Sequence, residues 1–255
     1  MHVDPSLPLS AVYAFLVVMA RVAGALTFVP IPGASGVPEP ARIMLVLSFT
    51  MALYPLWPAV PPNPGIGLLT GWLLSEAALG LTIGMVVGFL SEAFLVCGQM
   101  VGLQAGYSYA STIDPNTQSD STVMSLFAQS ASSLLFFALG LHREVFRIFA
   151  RSLETLPPGA FTIKMVTAEA VIRMGSTIFT TGFRLALPVV ALLVMIDVSL
   201  ALLGRINAQL QLLTLAFPAK MMTALAVLAA IAALFPRIYR GYAQHLFEAL
   251  PALTR

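Results

Sequence analysis

Charge is scarce in this chain. Asp, Glu, Lys and Arg make up 9% of its 255 residues, against about 25% in a soluble domain. No charged residue occurs between Ile43 and Ser75. The net charge of +2 is too small to argue for nucleic acid as a partner. A single cysteine, Cys97, excludes an internal disulfide framework and reads as a small apolar packing residue. There is no zinc-type Cys/His cluster and no phosphate-cradling Gly loop, so no cofactor is expected. His142 has no carboxylate at metal-ligand spacing, and a metal role is not expected there either. The first ten residues carry Asp4 and two prolines but no Lys or Arg. A cleavable signal needs a basic start, so the first apolar segment is expected to stay in the mature protein.

What is abundant is apolar: 58% of residues are hydrophobic and the mean hydropathy is +0.91. The composition predicts an all-α, integral-membrane-type protein with about six or more long apolar helices interrupted by Pro and Gly. Residues 11–29 form a first span, about the length a bilayer requires, with Arg21 near its middle. A charge at that depth faces protein or a cavity, and an internal contact is expected. Residues 43–60 follow, ending in Pro55, Trp57 and Pro58, and 61–65 is a turn. Residues 67–96 are too long for a simple span. Glu76 and Glu92, 16 positions apart, are about 24 Å apart on a straight helix. Gly80, Gly84 and Gly88 recur every four residues, so they share one face and form a groove for a neighbouring helix.

Polar residues reappear at 98–120. This stretch holds the amides Gln99 and Gln104 among small residues, then Gly106, Tyr107 and Ser108, and breaks at Asp114-Pro115 before Asp120. Amides in an apolar setting need partners, and a polar loop needs water or protein around it. An ordinary loop between membrane helices satisfies the same composition. In 123–141, Ser125, Gln129, Ser132 and Ser133 share a helix face, either lining a conduit or bonding within the bundle. Residues 142–169 are the most charged segment. Arg143, Arg147 and Arg151 form a basic stripe on one helix, read as a solvated rim. Residues 171–203 contain Arg173, Arg184, Pro188 and Asp197 and are either one kinked span or two half-length helices. Arg205 and Gln209 follow in a short polar segment, and Pro218 and Lys220 interrupt the last apolar stretch, 212–235. The tail 237–250 is amphipathic, with Tyr239, Tyr242, Leu246 and Leu250 on one face.

Several of these motifs, in this order, are similar to one family. The run Gly98-Gln99-Met100-Val101-Gly102-Leu103-Gln104-Ala105-Gly106-Tyr107-Ser108-Tyr109-Ala110 followed by Asp114-Pro115 carries most of the likeness. Gly140-Leu141-His142-Arg143, Leu156-Pro157-Pro158-Gly159, Leu185-Ala186-Leu187-Pro188, Asp197, Arg205, Gln209 and Phe217-Pro218-Ala219-Lys220 continue it. The chain resembles the FliR family, called SctT in injectisomes, of type III secretion export gates. It departs from the pattern at Ala208, where Pro is common, at Gln211, where Asn is common, and over 116–123.

The resemblance implies one export-gate membrane domain over 1–255, with a fold like a FliP-like unit joined to a FliQ-like unit. It implies a plug-like loop at 107–120, a charged rim loop at 142–169 and the amphipathic tail at 237–250. Gln99, Gln104, Gly106, Tyr107, Ser108, Asp114, Pro115 and Asp120 would serve plugging and gating. Arg21, Gly80, Gly84, Gly88, Arg184, Asp197, Arg205, Gln209 and Lys220 would meet other subunits, which would supply counter-charges. The implied partners are FliP-like and FliQ-like subunits, FlhB-like and FlhA-like export proteins, unfolded protein substrates and membrane lipid, without nucleic acid. The implied location is the bacterial inner membrane, within a flagellar basal body or injectisome base, and no catalysis is implied. The competing class is a small-molecule or ion secondary transporter, which intramembrane charges and Pro-broken helices also fit; the two halves show no internal repeat to support it. Scattered Ser, His142 and Asp114 form no hydrolytic motif.

Overall fold

The computed structural model describes residues 9–30, 38–107, 123–206 and 212–253. Among these the secondary structure is helical, without strands. Eight α-helices follow one another: α1 Leu9–Leu26, α2 Glu39–Ala52, α3 Ile66–Ala105, α4 Val123–Ala138, α5 Leu141–Thr155, α6 Met165–Ile206, α7 Leu212–Ile231 and α8 Phe235–Leu253. Short 3-10 turns at Tyr54–Leu56 and Ala232–Leu234 lie between helices.

The all-helical, membrane-type fold is as expected, and some of its helices run longer than a simple span. Four segments among the described residues are long and apolar enough to cross a membrane: Leu9–Leu26, Ile66–Ala105, Met165–Arg205 and Ala216–Pro251. The pair α4 and α5 would add a fifth if taken as one broken span. The reason is continuity. Residues 67–96 and the Gly-Gln motif run together as the 40-residue α3, and the stretch around Pro188 stays within one 42-residue helix, α6. Pro218 likewise sits inside α7. A bilayer needs about 20 residues, so α3 and α6 each have roughly twice the required length.

Local chemistry explains several ends. Helix α2 starts after Pro38 with a proline in its first positions and Glu39 in its first turn, where a missing N–H and a negative charge are both favourable. Gly140, at φ +73°, separates α4 from α5. Helix α5 is the most clearly two-faced: Leu141, Val145, Phe149 and Leu153 are buried while Arg143, Arg147 and Arg151 are exposed. The stripe of three arginines therefore lies on the outer face. In α8, Tyr239, Tyr242, Leu246 and Leu250 are buried and Arg237, Arg240, Gln244 and Glu248 exposed, as the spacing predicts.

The described chain packs as two compact units. The first takes the chain up to Gly88, Gly140–Met174 and the residues from His245 on; the second takes Phe89–Leu139 and Gly175–Gln244. In the first unit, Val17, Val18, Val22 and Ala25 of α1 are buried with Leu79, Ile83 and Val87 of α3. The seam between these helices is built on glycine. A Cβ placed on Gly80 would lie 2.0 Å from the carbonyl oxygen of Arg21, and one on Gly84 2.3 Å from that of Ala25. Only a residue without a side chain lets two backbones approach so closely. The core of the second unit includes Leu90, Phe94, Val101, Phe136, Leu185, Val189 and Leu193. Phe94 stacks edge-on with Phe235 and Tyr239, at ring separations of 5.8 and 5.1 Å.

Candidate functional site

Charges and amides in an apolar protein mark where chemistry constrains it, and here they gather in two clusters, one in each unit. The first unit holds the most deeply buried charge. Arg21, 1% exposed, pairs through Nε with Oε2 of the fully buried Glu76. Its Nη1 donates to Ser152 Oγ at 3.0 Å and its Nη2 to the carbonyl of Leu156 at 3.3 Å. The other oxygen of Glu76 accepts the backbone N–H of Gly159 at 3.2 Å. Ser75 adds a 2.6 Å bond to the carbonyl of Phe161. One ion pair between α1 and α3 thus reaches Ser152 on α5 and both sides of the Pro157-Pro158 turn. Gly159 packs there against Trp72, too tightly for any Cβ.

The second cluster lies where the Gly-Gln motif leaves α3. Gln104 donates to Oδ2 of Asp197 on α6 at 2.8 Å. Lys220 of α7 reaches both oxygens of the same carboxylate, at 2.9 and 3.0 Å. Two residues on, Gly106 takes φ +87° and sits against the ring of Phe217, where a Cβ would come within 2.7 Å. The Tyr107 hydroxyl then donates to the carbonyl of Met221 at 3.3 Å. Gln104, Gly106 and Tyr107 are each tied to α7, directly or through Asp197. A left-handed glycine is the cheap way to turn the chain sharply at a helix end.

The remaining expected residues divide clearly. Gln99 is exposed on α3. Ser108, Asp114, Pro115, Asp120 and Gln209 lie outside the described residues, as does most of the plug-like loop, 107–120. Arg184 and Arg205 are exposed, and neither ion-pairs with a carboxylate among the described residues.

For the others, the structure shows a partner within the chain. The counter-charge of Arg21 is Glu76, and Asp197 and Lys220 are each other's. The Gly80–Gly84–Gly88 groove is filled by α1, with Gly88 against Phe28. Composition names each charge but not its mate, which stands 55 positions away for Arg21 and 23 for Lys220. Glu76 enters the sequence reading only through its spacing from Glu92, and the cost of burying a carboxylate unpaired is the signal that points to a partner. Ser152 gave none.

The serine face of α4 is mixed. Ser125, Ser132 and Ser133 are buried and Gln129 exposed. Ser132 lies 3.2 Å from the hydroxyls of Ser91 and Tyr239, a hydrogen-bonded chain inside the bundle.

Comparison with known proteins agrees with the resemblance. The family described as bacterial export proteins, family 1, matches residues 12–246. Flagellar biosynthetic protein FliR of Escherichia coli (strain K12) is 27% identical over 231 residues, covering 90% of this chain and 87% of that protein. The protein of the same name from Pectobacterium carotovorum subsp. carotovorum is 28% identical, covering 89% of this chain and 86% of its own. That of Bacillus subtilis (strain 168) is 23% identical, covering 81% of each. With a match running over nearly its whole length, and with its long apolar helices, this membrane protein belongs to family 1 of the bacterial export proteins.

Proposed function

We propose that this chain is a subunit of a type III protein export gate and, given the names of its relatives, of the flagellar kind. It works with FliP-like and FliQ-like subunits to form a passage for unfolded polypeptide. FlhB-like and FlhA-like proteins lie next to it, and the assembly sits in the bacterial inner membrane. The chain performs no catalysis; its work is to shape and close the passage. The observation that carries this reading is the family match over residues 12–246.

The second cluster supports a role for 107–120 as the plug. Its root is held by Gln104 on the Asp197–Lys220 pair and by Tyr107 on α7, so the loop starts from a fixed point. Arg184 and Arg205 suit subunit contacts, because exposed charges on a long apolar helix are costly against lipid and need a protein or water neighbour. Gln209 is assigned to the same contacts on the family pattern alone.

The test is co-expression with FliP-like and FliQ-like subunits, read by native mass. One high-mass complex containing all three is expected, and its loss should stop export of flagellar proteins. A well-behaved monomer that moves a small solute across vesicles unaided would overturn the reading. Removal of residues 107–120 should raise ion leakage through the assembled gate, and an unchanged leak would dismiss the plug.

A further inference from the structure

Helix α3 keeps two polar side chains on a face that its neighbours leave open. Glu92 and Gln99 are both exposed. Seven residues apart, they lie within about 20° of one another around the helix and about 10.5 Å apart along it. Leu95 and Leu103 join the same face at spacings of three and four; Leu95 is half-buried and Leu103 is 69% exposed. The flanks of this face are occupied. On one side α6 comes so close that a Cβ on Gly182 would lie 2.9 Å from the carbonyl oxygen of Ala93. On another, Met124 and Ala128 of α4 crowd Gly98. A narrow stripe of carboxylate, leucine, amide and leucine remains, within a segment apolar enough to cross a membrane.

The other carboxylate and amide of α3, Glu76 and Gln104, have partners in the chain. Among the described residues, Glu92 meets no cation and Gln99 no hydrogen-bonding group. Neither simple solvent suits the stripe. Lipid matches the leucines but leaves the carboxylate and the amide unbonded. Water matches the polar pair but wets the leucines between and beyond them. A helix carrying the complementary groups satisfies all four positions. We infer that residues 92–103 of α3 receive a helix of another membrane subunit, with a basic side chain set against Glu92 and a hydrogen-bonding one about two turns away against Gln99. The sign of the charge selects the partner, since an acidic or neutral helix leaves Glu92 uncompensated. The inference rests on the export-gate reading for the existence of that subunit.

The test co-expresses the chain with the FliP-like and FliQ-like subunits and reads the yield of complex by native mass. Glu92→Lys should lower that yield by about tenfold or more, and Glu92→Gln by about threefold to tenfold. A photoreactive residue at position 95 should capture a subunit segment that contains Lys or Arg. Changing that basic residue to Glu should restore at least about half of the yield lost in Glu92→Lys, which a merely misfolded variant would not allow. Full complex yield in Glu92→Lys, no restoration by the reversed pair, or capture of lipid, of exported polypeptide or of a second copy of this chain would overturn the contact while leaving the export-gate reading intact. Failure of the unaltered chain to enter any complex would instead remove that reading, and this inference with it.

Discussion

The Arg21–Glu76 pair makes the sharpest demand on this fold. Replacing Arg21 by Ala leaves Glu76 buried, with only the N–H of Gly159 as a partner. It also strips Ser152 and the Leu156 carbonyl of their shared donor. Removing one member of a buried ion pair costs about 3–5 kcal/mol. In a chain of this size that corresponds to a melting midpoint lower by about 6–20 °C. Glu76→Gln should fall in the same range, because it leaves a buried guanidinium without its charge partner. Taking both charges away together, as Arg21→Met with Glu76→Leu, should recover most of the loss, since a buried pair exchanged for apolar residues is often neutral or better. The assay is thermal unfolding of the detergent-solubilised chain, fused to a fluorescent reporter and scored by the fraction remaining monodisperse. Arg21→Met and Glu76→Leu, made singly and together, form a cycle whose interaction energy should exceed about 2 kcal/mol. Single losses below about 1 kcal/mol, or additivity within about 0.5 kcal/mol, would refute the view that this contact holds α1, α3 and the turn after α5 together. Added salt should change little, because screening reaches buried pairs poorly.

Other variants test other contacts. Gly84→Ala places a Cβ against backbone that cannot yield, 2.3 Å from the Ala25 carbonyl oxygen, and should cost about 1–3 kcal/mol in the same melt. Gly175→Ala meets nothing closer than 3.6 Å and should be neutral or stabilising by about 0.5–1 kcal/mol; similar losses at the two sites would deny the seam its special role. Lys220→Ala breaks a pair whose carboxylate is 43% exposed, so its stability cost should stay near 1 kcal/mol or below. Ion leakage through the assembled gate should nonetheless rise, and Lys220→Arg should restore the seal. A tight gate in Lys220→Ala would show that the pair does not anchor the plug root.

Much of the fold is legible along the chain because it depends on local order. Hydropathy identifies an all-helical membrane protein, the 3.6-residue period predicts which faces of α5 and α8 are buried, and glycines four apart announce a close helix seam. The Gly-Gln motif and the later prolines carry the family. Helix number is less legible. A proline such as Pro188 ends a helix in isolation but is tolerated inside one when neighbours and local adjustments satisfy the freed carbonyl.

Pairing across distance is what the sequence by itself left open. Arg21, Glu76, Asp197 and Lys220 are all conspicuous as charges, yet nothing local distinguishes a mate in the same chain from one in another subunit. The same holds for the face of Gly80, Gly84 and Gly88, which states that a helix comes near but not that the helix is α1. Periodicity describes the environment a segment wants, which a few neighbouring residues encode. Tertiary structure decides who supplies that environment, because the choice depends on the cost of every alternative burial at once.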